Sequence, residues 1–245
     1  MTQEQFWRDL QHIDGEVDHA LSVFHTYEEI IRLGAQSARA FSAFNMDAMF
    51  WNTQAYCLQQ TLFMILSRLV EDGPDCLTVR SVLNSAASHP EFFSRQALER
   101  RVRERKIPEE YIENLLEDIW TPEGESNFKH LKKALEPHAA RIAQKYRPIR
   151  DNYIGHNIIG STSTIRELFA MTNRAELSKM LDFLHELVAG LINLYLNGVK
   201  PDIGARDFDS YNGKIAASAR RVVQKVVGGE LFTDEDDGAP EIVKS

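Results

Sequence analysis

Within seven consecutive residues, Arg150-Asp151-Asn152-Tyr153-Ile154-Gly155-His156, the chain places a permanent cation, a carboxylate, an amide, a phenol and an imidazole. Histidine is the side chain that gains and loses a proton near neutral pH, as a general acid or base must. Arginine presents a planar fork of donors that matches the oxygens of a phosphate. An imidazole and a guanidinium this close, flanked by Pro148 and Gly155, are more than a polar stripe. On an ideal helix six residues advance about 600°, which leaves Arg150 and His156 about 120° apart. Pro148 removes a backbone donor and is expected to kink the helix before Arg150, and Gly155 loosens the turn before His156.

Upstream, Lys129, Lys132, Lys133, Arg141, Lys145, Arg147 and Arg150 stand against the single acid Glu136. This strip lies in a chain of 245 residues with a formal net charge of −8. Such a balance argues against a general nucleic-acid coat but leaves room for one basic face. The strip reads either as a solvated helix face or as a phosphate-binding surface. A second basic run, Arg95 to Lys106, carries six cations and two acids and leaves the same two readings open.

Other constellations carry less chemistry. His12 and Glu16 are four apart, as two metal ligands on one helix face would be, but no third ligand can be named and no metal site is assigned. His185-Glu186 reads as a solvated or seam-edge pair. No glycine-rich loop follows a strand, so no cofactor is called for, and Gly160 to Thr164 contains no nucleophile elbow. Thr164 and Glu167 have the spacing of a capping box instead. Cys57 and Cys76 are too few for a disulfide scaffold or a cysteine-based zinc site. MTQEQFWRDL lacks the basic start and apolar run of a signal peptide. The most apolar window, 56–70, is shorter than the roughly 20 residues a membrane span needs. A cytoplasmic protein without membrane contact is the expectation.

The positioning elements are helical. Phe50, Leu58, Leu62, Ile65, Leu66 and Leu69 recur at steps that stack on one helix face over 45–71, which Asp72-Gly73-Pro74 ends. Leu177, Leu184 and Leu191 interleave with Leu181, Val188 and Tyr195 to form a heptad seam over 177–195. That seam is suited to a neighbouring helix or to a second copy of the chain. Asn197-Gly198 and Pro201 stop this helix. Pro90, Pro108 and Pro122 stand near helix starts. No alternating β-branched run suggests a sheet, and the fold class is all-α, with about eight helices.

The arginine followed by an acid, with a small residue before the histidine, resembles the R-x(4–6)-H motif of HEPN domains. The order Phe50-Trp51, Ser67-Arg68-Leu69-Val70-Glu71-Asp72, a helical insertion, and then Arg150-Asp151 to Gly155-His156 is similar to the HEPN group of bacterial U-type abortive-infection proteins. The likeness spans roughly residues 15–197. It implies a dimer-forming helical bundle, placed over 1–228 with its core at about 15–71 and 125–197; the pattern of short helices at 72–124 reads as an insertion, and the acid-rich 229–245 as a disordered tail. It also implies RNA cleavage without a metal, with His156 as acid/base and Arg150 holding the phosphorane charge. Asp151 would orient the pair, with Asn152 and Tyr153 in support, and Lys145, Arg147 and Arg141 would contact RNA. A homodimer, and an antitoxin or regulatory protein as partner, belong to the same reading. Two alternatives stand beside it: a non-catalytic dimeric module binding RNA or protein through the same cleft, and a scaffold built on the heptad helix.

Overall fold

The computed structural model describes residues 1–71, 73, 75–122, 125–151, 172–204 and 209–228. Among these residues there are helices and turns and no strand. The elements are α1 (Gln3–Gln36), α2 (Ala38–Met46), α3 (Ala48–Leu69), α4 (Val79–Ser88) and a 3-10 turn (Pro90–Phe93). Then come α5 (Arg95–Glu104), α6 (Glu109–Glu117), a 3-10 turn (Glu125–Phe128), α7 (Lys129–Arg141), a π-helical turn (Ile142–Tyr146) and α8 (Arg147–Ile149). The last two are α9 (Arg174–Asn197) and α10 (Asp209–Val227). The capping box expected at Thr164 and Glu167 and the acidic segment 229–245 lie outside the described residues. None of the described helices is long and apolar enough to cross a membrane.

The chain divides into two compact units, the described parts of 1–19 with 63–206 and of 20–62 with 207–245. α1 and α3 each contribute residues to both. The first unit is built on the residues the periodicity singled out. Phe6, Leu10, Ile13 and Val17 of α1 are buried at helical spacing, as are Leu66 and Leu69 of α3. All six seam positions of α9, Leu177, Leu181, Leu184, Val188, Leu191 and Tyr195, are buried within the single chain. The seam is therefore satisfied by intramolecular packing and needs no second copy. It ends where Gly198, at φ +66°, closes the helix by donating to the Leu194 carbonyl. A Cβ on Gly198 would stand 2.9 Å from Ile119 and Leu98 side-chain atoms, so both the backbone and the packing select glycine.

The stretch between α3 and α7 is a run of short helices with an apolar cluster of its own. Leu98, Val102, Ile112 and Leu116 join α5 to α6, α4 packs on α7, and α5 packs on α9. α4 starts with a full capping box, in which Thr78 and Ser81 exchange side-chain and backbone hydrogen bonds. The arginines of α5 serve mainly to tie this region together. Arg95 donates to the Leu116 carbonyl, Arg103 pairs with Glu99 and Glu109, and Arg101 donates to the Phe92 carbonyl.

The second unit gathers Leu33, Ala40, Trp51 and Val223 around Phe44, whose ring lies 4.4 Å from that of Trp51. Buried Glu29 accepts from Arg32 at 2.7 Å and from Arg220 at 2.8 Å, so its charge is compensated twice. The helix expected over 45–71 begins at Ala48, because Asp47 leaves helical geometry at φ −114°, ψ 41° to end α2. Ser37, in extended conformation, accepts from the Ala40 amide and separates α2 from α1.

Candidate active site

The basic strip enters the site on α7, whose apolar positions Leu131, Leu135 and Ala139 face the core. The helix does not continue as a regular spiral. Residues 142–146 widen into π-helical winding, Arg147-Pro148-Ile149 return to α-helix, and residues 150–151 are π-helical again. Proline at 148 has no N–H to donate, and wide turns on either side accommodate that missing bond. A π turn inserts an extra residue into the helical register, so ideal-helix angles do not carry through to Arg150. Buried Ile142, Tyr146 and Ile149 anchor the distorted segment and leave the intervening cations half-buried or exposed at its surface.

Two carboxylates from distant parts of the chain receive these cations. Glu71, just past the end of α3, accepts from Arg150 Nη1 and Nη2, both at 3.2 Å, and from Arg147 Nη2 at 3.3 Å. Asp151 completes the fork by accepting from Arg150 Nε at 2.7 Å, and its other oxygen lies 3.9 Å from Arg147 Nε. Arg150 thus has Nε, Nη1 and Nη2 all engaged by carboxylates, and only 15% of its side chain is exposed. Glu176, in the first turn of α9, accepts from Lys145 Nζ at 2.9 Å on both oxygens and lies 3.5 Å from Arg141 Nε. Tyr146 donates to the same carboxylate at 3.5 Å and packs against the Phe63 ring.

The electrostatics follow from these contacts. The hydrogen bond from Arg150 holds the Glu71 carboxyl below its ordinary range, and the hydrogen bond to Glu71 raises the Arg150 guanidinium further. Burial pushes the Tyr146 phenol up to about 12, with the Glu176 charge adding to it, so Tyr146 stays neutral and acts as a donor. A carboxyl whose pKa is lower folded than unfolded stabilises the fold above its unfolded value, and that contribution disappears as the pH falls through the folded value. Stability of the native chain is therefore expected to fall as the pH drops through and below 4.5, the ordinary value of Glu71. Glu71→Gln should fall less steeply there, and parallel melting curves for the two proteins would contradict the pairing.

Of the site residues expected from the sequence, Arg141, Lys145, Arg147, Arg150 and Asp151 converge on the segment between α7 and α9. Asn152, Tyr153 and His156 lie outside the described residues. Arg141, Lys145, Arg147 and Arg150 are not an open strip but are balanced by Glu71, Asp151 and Glu176. Lys129 and Lys133 remain exposed and form no ion pair among the described residues. Glu71 and Glu176 are the residues that spacing alone did not single out. Glu176 sits in the first turn of the seam helix, an ordinary place for an acid, whereas Glu71 lies just past the C-terminal end of α3, where the helix dipole disfavours an anion and the arginines compensate it.

The sequence from 4 to 222 matches the HEPN family described as AbiU2. The chain belongs to that family. The all-α architecture is accordingly a HEPN-type helical bundle. No curated protein and no solved structure matches the chain.

Elsewhere, among the described residues, no group of three or more His, Cys, Asp or Glu side chains could hold a metal. Glu16, considered with His12, is taken by Arg68 at 2.5 Å. Of the two readings left open for Glu186, solvated or seam-edge, its burial excludes the first, and its carboxylate accepts from the Gly204 amide at 2.8 Å. His185 beside it lies 3.3 Å from Asp18.

Proposed function

We propose that this HEPN chain is a metal-independent endoribonuclease that works as a homodimer in the cytoplasm, with phage defence or toxin-like RNA cleavage as its role. What supports the reading is Arg150, the arginine of the HEPN resemblance, whose Nε donates to Asp151 and whose Nη1 and Nη2 donate to Glu71. In the reaction the RNA 2′-oxygen forms a bond to the adjacent phosphorus, and the bond from phosphorus to the 5′-oxygen breaks. The products are a 2′,3′-cyclic phosphate and a free 5′-hydroxyl. His156 takes the 2′-hydroxyl proton or returns one to the leaving oxygen. Arg150 supplies fixed positive charge where negative charge grows on the phosphorane. Asp151 orients the guanidinium through its Nε bond, and Asn152 and Tyr153 support the pair. Arg141, Lys145 and Arg147 guide the RNA backbone by exchanging carboxylate for phosphate oxygens.

The same occupancy favours a second reading. A guanidinium already neutralised by Glu71 and Asp151 suits a structural clamp in a non-catalytic dimeric module that binds RNA or a partner protein such as an antitoxin. Incubation of the purified chain with single-stranded and structured RNAs in excess EDTA separates the two. The nuclease predicts cleavage that is lost in His156→Ala. Intact RNA with a folded dimer selects the binding module, and cleavage that persists in His156→Ala contradicts the assigned residues.

A further inference from the structure

α10 carries two patterned stripes besides its core face. Residues 210–228 hold four cations, Lys214, Arg220, Arg221 and Lys225, and no acid. At about 100° per residue, Ile215, Ala219, Val222 and Val226 fall on one apolar stripe. Lys214, Ser218, Arg221 and Lys225 fall on a second, about 110° away. The core face is neither of these, since Val223 and Val227 pack into the Leu33, Ala40 and Trp51 cluster. Val222 and Val226 are accordingly 58% and 57% exposed. Arg220 pairs with Glu29, but Lys214, Arg221 and Lys225 are exposed and form no ion pair among the described residues.

Ile215, Ala219 and Val222 form one side of a groove of about 490 Å³ within the second unit. Ser22 and Thr26 line it from α1, Lys214 lines it from α10, and no acid is among its described lining. An apolar groove beside unpaired cations suits a segment that carries apolar side chains and then carboxylates. The chain has such a segment directly past α10. Gly228, at φ +71°, ends the helix by donating to the Gln224 carbonyl at 3.1 Å, a left-handed cap that turns the chain off the helix axis. Leu231-Phe232 and then Asp234-Glu235-Asp236-Asp237 follow it. The reach matches as well. Six to nine extended residues cover about 20–30 Å. Arg221 and Lys214 lie about 10 and 21 Å back from Gly228 along the helix, at 1.5 Å per residue. A tether within one chain raises the effective concentration to the millimolar range, so a few exposed ion pairs and two apolar side chains suffice.

We infer that segment 229–245 runs back along α10 in this groove, with Leu231 and Phe232 against Val222 and Val226 and Asp234 to Asp237 against Lys214, Arg221 and Lys225. This strap uses no residue of the Arg150 site and stands whether or not the chain cleaves RNA.

Zero-length carbodiimide cross-linking of the full chain, read by mass spectrometry after digestion, tests it. A mixture of isotopically labelled and unlabelled chains tells links within one chain from links between two. The expected result at low salt is intrachain links from Lys214 and Lys225 to the acids at 234–237. They should be at least about fivefold more abundant than links from those acids to the exposed Lys129 and Lys133, as tethered proximity requires. In about 1 M sodium chloride, where charges are screened beyond about 3 Å, they should drop severalfold. Leu231→Ser/Phe232→Ser alters no residue of α1 or α10 and should reduce the same links severalfold. Links no more abundant than those to Lys129 and Lys133, or links mainly between labelled and unlabelled chains, overturn the assignment. So do yields that neither salt nor the double variant lowers.

Discussion

Replacing Arg150 by alanine is expected to lower the rate of RNA cleavage by about 10²–10³-fold, the usual loss when one fixed donor to a developing oxyanion is removed. Arg150→Lys should recover little of it. Lysine keeps the charge but not the planar fork, and Arg150 uses Nε, Nη1 and Nη2 at once to hold its geometry between Asp151 and Glu71. The fold should survive either change, because Glu71 keeps Arg147 as a partner. Initial rates on one RNA, read beside melting curves, check this. A rate unchanged within about twofold in a folded Arg150→Ala protein would assign the arginine to structure alone and favour the binding module.

Phe6→Ala carries the largest expected effect on stability. Phe6 is fully buried in the first turns of α1, with ring centres of Phe92, Phe93 and Tyr195 at 5.7, 5.6 and 5.7 Å. Removing the ring deletes its burial and leaves a cavity that three other aromatics, themselves packed, cannot close. Such truncations cost about 3–5 kcal/mol. Urea unfolding of the two proteins measures the difference, and a loss below about 1 kcal/mol would mean that this aromatic cluster is not the core it forms here.

What could be read from the sequence was the part governed by local pattern. The heptad positions of α9 are all buried, and the Gly198 stop is a left-handed cap. The all-α class and the HEPN likeness rest on such patterns and on the order of short motifs. The break at Asp47 was not legible, since the apolar repeat on α3 gives no sign of where α2 ends. Nor was the π winding around Pro148, where proline announces a distortion but not its form. The pairing of Arg150 with Glu71 joins residues 79 apart in the chain, and that of Lys145 with Glu176 joins residues 31 apart. Charge counting along the strip therefore described a cationic face where, over Arg141 to Arg150, tertiary contacts place an almost balanced network. The same limit applies to Arg95–Lys106, where helix patterning could not tell an RNA-facing surface from a set of structural clamps.

The central claim is that the RNA 2′-oxygen is the nucleophile. It is tested most directly by giving the chain, in EDTA, an RNA it cuts and the same RNA with a single 2′-deoxy nucleotide at the scissile position. The account predicts cleavage of the first with a 2′,3′-cyclic phosphate end and none at the substituted bond of the second. Cleavage of the deoxy-substituted bond, or a plain phosphate end formed from the outset, would contradict it.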